Sequence, residues 1–291
     1  MSIVKADRNF AVTLGKKKRK LGLLLFELGM IALTILYMAP LYFMVITAFK
    51  TNRELIFTPL ALPNSFLHVE NFVDAWNAVD LGNAYKNTFM IATAAVLLRI
   101  VFSSMAAFTL AKRTSKFHTA LYVLFLIGIM IPLYSMLVPL VQLIKNLGLM
   151  NSRLGLIMVY IGMGMPFSIF MLTGFTRSIP NELIEAATID GCGVYRLFWV
   201  IIFPLLKTAL ATLFLLDFLA IWNDFLLPML TISSTEQRTI TLAMYNFYGE
   251  FGSQMGLAFA GYTIGILPVI LLFVVLQKYI VSGIMVGAVK G

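Results

Sequence analysis

Few side chains in this sequence have the type and company needed for bond-breaking chemistry. His68 and His118 stand alone, without Cys, Asp or Glu at metal-ligand spacing, so no metal centre is expected. Cys192 is the single cysteine and permits no internal disulfide. No Gly-x4-Gly-Lys-Ser/Thr loop occurs, so ATP hydrolysis by that route is excluded, and no nucleophile is paired with a base. An enzyme is not expected. The polar groups that stand out lie inside apolar runs: Arg99, Asp217, and the group Trp222-Asn223-Asp224-Phe225-Leu226 ahead of Pro228. An ionisable group at membrane depth costs a few kcal/mol and normally faces protein or water, which makes Asp217 a functional candidate; Asp224 lies nearer one end of its run and costs less.

A polar island, Ser178 to Pro204 (SIPNELIEAATIDGCGVYRLFWVIIFP), separates two of the apolar runs. Pro180 suits a first helical turn, where its missing N–H would be unpaired anyway, and Glu182 puts a carboxylate at the positive end of the helix. The spacing predicts a short helix from Pro180 to about Ile189, stopped by Asp190-Gly191. A second helix is expected from near Val194, feeding the next apolar run through Pro204, which kinks or restarts a helix crossing it.

The elements that must carry these groups are membrane spans. Of 291 residues, 60% are hydrophobic and 12% charged, too apolar for a water-soluble domain, where charged residues run near a quarter. A bilayer core needs roughly twenty helical residues, which predicts six spans near 22–48, 84–111, 119–144, 153–176, 204–230 and 257–281. Prolines 132 and 139 in the third free backbone carbonyls and favour a path-lining helix. With both termini on one side, that side collects 15 Lys and Arg against 6 on the other, so it is cytoplasmic, and the 178–204 island faces the cell interior. The basic cluster 16–20 precedes an apolar run too long for a cleavable signal, so that run is expected to stay as the first span. The net charge of +9 follows from this topology and gives no reason to expect nucleic acid. The external stretch 49–83 reads as a partly ordered cap. The expected organisation is a basic cytoplasmic segment 1–21, a transmembrane domain 22–281 and a cytoplasmic tail 282–291.

Glu185-Ala186-Ala187, three residues, Gly191, nine residues, Ile201, one residue, Phe203-Pro204 resembles the EAA loop of ATP-binding-cassette importer permeases, with Phe203 where that family has Leu. The resemblance extends from Asn87 to Pro204 through Ala106-Ala107, Met130-Ile131-Pro132 and Gly148-Leu149-Met150-Asn151, and Trp222 to Leu226 before a proline is similar to the signature of carbohydrate-importer permeases. The ending Gly287 to Gly291 is similar to the tail of the smaller, maltose-type permease subunit. The resemblance implies an all-α polytopic type I importer permease in a bacterial cytoplasmic membrane. It implies ATPase coupling through Glu185, Ala186, Ala187, Asp190, Gly191 and Pro204, and a substrate path at Asp217, Trp222, Asn223 and Asp224, where Trp stacks on sugar C–H faces and Asn and Asp hold hydroxyls. It implies contact with a binding protein at Tyr245, Phe247 and Tyr248, and a tail at the ATPase interface through Lys290 and Gly291. Partners implied are a second, different permease, two ATPase subunits holding ATP and Mg, and an extracellular or periplasmic sugar-binding protein; this chain would bind no cofactor itself. A secondary carrier would need a relay of buried carboxylates and an internal repeat, and a membrane enzyme a polar cluster at a span end; the sequence has neither pattern.

Overall fold

The computed structural model describes residues 3–113, 115–249 and 254–288, with side chains for 22–113, 115–247, 254–275 and 277. The described residues form helices joined by short turns, as expected for a chain that must satisfy its backbone groups in lipid. Four helices carry stretches long and apolar enough to cross a bilayer: α1 (Ile3–Ala48), α4 (Leu81–Lys112), α7 (Arg153–Arg177) and α14 (Met255–Ala288). Two bent helix pairs are also apolar enough, giving up to six spans if each pair is one.

The apolar run expected as one span over 119–144 is instead α5 (Lys116–Met130) and α6 (Leu133–Asn146), turned by 103° at Ile131-Pro132. The cause is local. Pro132 offers no N–H and its ring holds Ile131 extended (φ −79°, ψ 118°), out of the helical region. Pro139 sits inside α6 without ending it.

The run expected as one span over 204–230 is likewise divided. After α8 (Asn181–Ile189) the chain forms α9 (Val194–Arg196), a π-helical turn over Leu197–Ile202, and α10 (Phe203–Leu205), then bends by 73° into α11 (Lys207–Asn223). Pro204 removes one helical donor just beyond the π-helical turn, so the ladder widens there before it restarts at Lys207. Asp224 is extended, and α12 (Leu226–Thr231) follows, then α13 (Ile240–Gly249).

The core is built where α4 and α7 lie along each other, with α11 and α14 against them. Small residues of α4, Ala92, Ala95, Ser103, Ser104 and Ala107, are fully buried and let the neighbouring backbones approach, as helix pairing in lipid requires. Leu23 to Met38 of α1 are largely exposed, an apolar surface suited to lipid. The stretch 49–83, expected to be partly ordered, carries α2 (Asn52–Phe57) and α3 (Glu70–Ala78). The buried Lys50 Nζ anchors it by donating to the carbonyls of Thr58 at 2.7 Å and Pro59 at 2.8 Å.

Candidate functional site

Arg99 of α4 and Asp217 of α11 form an ion pair in the core, 5% and 8% exposed. Arg99 Nη1 also donates to the carbonyl of Tyr160 on α7 at 3.2 Å. Gly164, one turn further along α7, provides the space: a Cβ at that position would lie 1.5 Å from Arg99 Nη1. The polar contacts continue away from the pair. Tyr160 donates its hydroxyl to Asp224 Oδ2 at 2.8 Å, and the Asp224 carbonyl accepts from Thr241 Oγ1 of α13 at 2.6 Å. Asp224 Oδ1 accepts from the backbone N–H of Leu226 at 3.0 Å and so starts α12. A chain of side-chain and backbone contacts thus links α11, α4, α7 and α13 through a region where each unpaired group would cost dearly.

Beyond α7, a second polar network holds the segment before α13. Asn151, at φ 53°, donates its N–H to the Thr231 carbonyl at 2.7 Å and accepts at Oδ1 from Ser233 and Ser234 N–H at 3.1 and 2.9 Å. Asn87 Nδ2 donates to the carbonyls of Glu236 and Arg238, and Ile240 N–H donates to Thr88 Oγ1.

At the opposite end of α7 sits α8. Lys112, the last residue of α4, donates from Nζ to the Ile179 carbonyl at 2.6 Å and to Asn181 Oδ1 at 2.9 Å, tying α8 to α4. The helix ends as its sequence requires: Gly191 takes φ +77°, and the N–H groups of Asp190, Gly191 and Cys192 cap the carbonyls of Ala186, Thr188 and Ala187. Its outer face, continued by the start of α9, exposes Glu185 and Ala186 together with Leu183, Ile189, Val194 and Tyr195.

The sequence-predicted residues divide accordingly. Glu185, Ala186, Asp190 and Gly191 share the exposed face of the elbow. Ala187 does not: it is 7% exposed and packs inward with Leu197 and Phe198 in the core, because residues one apart on a helix point to different sides. Pro204 lies at the bend before α11, away from that face. Trp222, expected to stack on a sugar, is buried with its ring against Tyr85 and Phe218, at centroid distances of 5.9 and 5.6 Å. Both neighbours are themselves aromatic, so the ring is satisfied inside the core and presents no free face. Asn223 is exposed and donates to the Leu219 carbonyl. Asp217 is held by Arg99 and Asp224 by Tyr160. Phe247, expected at a binding-protein contact, is fully buried, its ring against Gly261 and Tyr262, since α14 packs on that face of α13. Tyr245 is half exposed. The Tyr248 side chain, Lys290 and Gly291 lie outside the described residues.

Sequence reasoning noted Arg99 as a deep charge but not its pairing with Asp217, and missed Tyr160 and Thr241. The signal available was that two opposite charges lie within the apolar runs, which in lipid predicts that they meet.

The family model described as binding-protein-dependent transport system inner membrane component matches residues 99–286. The chain is 37% identical over 260 residues to the probable starch degradation products transport system permease protein AmyC of Thermoanaerobacterium thermosulfurigenes, covering 89% of this chain and 94% of that protein. It is 35% identical over 253 residues to the melibiose/raffinose/stachyose import permease protein MelC of Bacillus subtilis, covering 87% and 91%. Among solved structures, a chain of a bacterial ABC transporter involved in the import of the acidic polysaccharide alginate superposes with a TM-score of 0.75 at 21% identity, covering 87% of this chain and 93% of that one. A chain of a bacterial alginate ABC transporter in complex with an alginate pentasaccharide-bound periplasmic protein gives 0.62 at 17%, covering 87% and 92%. At those identities the likeness establishes a shared fold.

Proposed function

The chain belongs to the family of binding-protein-dependent transport system inner membrane components, as a multi-pass protein of the cytoplasmic membrane with an importer permease fold, and on that premise we propose that it is the permease subunit of an ATP-binding-cassette importer that moves an oligosaccharide inward. The observation that carries the reading is the elbow α8: a short helix, clamped to α4 by Lys112, that exposes Leu183, Ile189, Val194 and Tyr195 beside Glu185. Exposed apolar side chains around one carboxylate suit a cleft in another protein better than water. The occupant of that role is an ATPase subunit, one of two that hold ATP and Mg, while this chain binds no cofactor. The sugar assignment is supported by relatives whose names specify starch degradation products and melibiose, raffinose and stachyose.

Six helices enclose little volume, so a second, different permease completes the path, and a sugar-binding protein docks outside on the cap and α13. When the ATPases close, α8 is drawn with them. Lys112 ties that movement to α4, and the Arg99–Asp217 pair joins α4 to α11, so the helices around α7 swing as one body between inward-open and outward-open states. The tail at Lys290 and Gly291 lies along the ATPase interface in this scheme. Glu185→Lys in the reconstituted complex tests it: sugar uptake should be lost while membrane insertion and yield stay as in the parent. Normal uptake by that variant would remove the basis for the elbow's role.

A further inference from the structure

We infer that a hollow between α4 and α5, at the end of the molecule that carries α8, holds an anionic phospholipid, with one acyl chain in the hollow and the headgroup phosphate at Arg113 and Lys116. The hollow is about 380 Å3, walled by Met105, Ala106 and Leu110 of α4 and by Phe117, Leu121 and Phe125 of α5. Phe117, Leu121 and Phe125 recur every four residues and so share one face of α5. At about 1.5 Å per residue that wall runs roughly 12 Å, most of the ~15 Å depth of one leaflet. The two polar side chains of the lining are already matched. Thr109 Oγ1 donates to the Met105 carbonyl at 3.1 Å, and His118 Nδ1 lies 2.6 Å from Ser115 Oγ. The hollow therefore offers its occupant hydrocarbon contacts, and Phe117, 67% exposed, leaves its wall largely uncovered within this chain. Leu124 and Ile127 of α5 are exposed too and continue the apolar surface away from the turn.

Charge at the rim selects the lipid. Arg113 ends α4 and Lys116 opens α5, and both are exposed. The other cations at this end are engaged: Lys112 Nζ is turned to the Ile179 carbonyl and Asn181, and the Arg177 guanidinium lies 4.9 Å from the Tyr122 ring centroid. No Asp or Glu occurs between residues 81 and 181, and neither Arg113 nor Lys116 makes an ion pair among the described residues. The excess of Lys and Arg on this side assigns it to the cytoplasmic leaflet. Uncompensated cations between spanning helices on that side recognise headgroups of net negative charge. A zwitterionic headgroup brings its own ammonium to the same place and gains less.

The test uses the intact complex in nanodiscs that hold phosphatidylglycerol and phosphatidylcholine in equal amounts, with a photoreactive diazirine on the acyl chain of each lipid in turn. Labelled peptides are identified by mass spectrometry. Phosphatidylglycerol should label residues 105–110 and 117–125 about five- to thirtyfold more than phosphatidylcholine, and Arg113→Gln with Lys116→Gln should bring the two lipids close to parity. Ala106→Phe, which fills the hollow, should lower labelling there by both lipids while labelling of the exposed face of α1 stays as in the parent. Equal labelling by the two lipids in the parent, or a preference that survives loss of both cations, would overturn the inference. A benzoylphenylalanine in place of Phe117 that crosslinks to the second permease instead of lipid would also overturn it and make the hollow a subunit interface.

Discussion

Asp217→Asn is expected to be among the most damaging single changes in the chain, although it removes only a charge. Arg99 is 5% exposed, and without the negative charge of Asp217 its guanidinium keeps the hydrogen bond to the Tyr160 carbonyl at 3.2 Å but no counter-charge, while its Nε has no hydrogen-bond partner among the described residues. Leaving one member of a buried pair uncompensated costs about 3–5 kcal/mol, or roughly two to three and a half orders of magnitude in the folded ratio. Arg99→Met should cost a similar amount, because it strands the carboxylate of Asp217, 8% exposed. The double change Arg99→Met with Asp217→Leu removes both charges and approximates the lost volume, and replacements of that kind are often neutral or stabilising. The coupling between the two sites should therefore exceed about 2 kcal/mol. The exchange Arg99→Asp with Asp217→Arg should not rescue, since the opening at Gly164 accommodates a guanidinium arriving from α4 and not from α11. Unfolding of the purified complex, titrated with SDS in mixed micelles, reads each variant. A loss below about 1 kcal/mol for Asp217→Asn, or additive losses in the double variant, would refute the reasoning.

At the elbow, Gly191→Val should cost roughly 1–2 kcal/mol at φ +77° and turn α8 away from its partner, so that uptake falls at least as far as ATP hydrolysis when both are measured in proteoliposomes. Asn151→Ala removes the acceptor of two N–H groups and should loosen residues 231–240 by about 1–3 kcal/mol, read as faster amide exchange there. In the cap formed by residues 49–83, Glu54 accepts from the N–H of Asn64 at 2.7 Å and of Thr51 at 2.8 Å; the Asn64 bond first, and Thr51 after it, hold its carboxyl down at about 2 from the ordinary 4.5. A depressed carboxyl stabilises fully above its unfolded value, so order in 51–64 should be complete above pH 4.5 and lost as pH falls toward 2. Amide exchange across that interval should show the loss, and Glu54→Gln should flatten it; a profile identical to the parent's would contradict the assignment.

The elbow was legible in the sequence because everything that forms it is local. Pro180 and Glu182 start α8, Asp190-Gly191 end it, and the helix runs from Asn181 to Ile189. The apolar runs around α1, α4, α7 and α14 were legible for the same reason, since length and hydropathy are properties of a contiguous stretch. The prolines announced that the runs 119–144 and 204–230 would be disturbed. The turns of 103° and 73° depend on what the freed helix ends pack against, which no proline specifies.

The face each residue presents was decided by the tertiary structure. Ala187 and Phe247 carry no local sign that they turn inward, and Trp222 is covered by Tyr85 from a different helix. Arg99 meets Asp217 only because α4 and α11 are neighbours and Gly164 of α7 leaves room between them. Sequence alone determined which stretches are long and apolar enough to cross a membrane, where the elbow α8 starts and stops, and which charges lie within the apolar runs. Which of those charges pair, and which aromatic rings are covered, depends on contacts between helices far apart along the chain, where side-chain fit selects among arrangements that hydropathy and spacing leave equivalent.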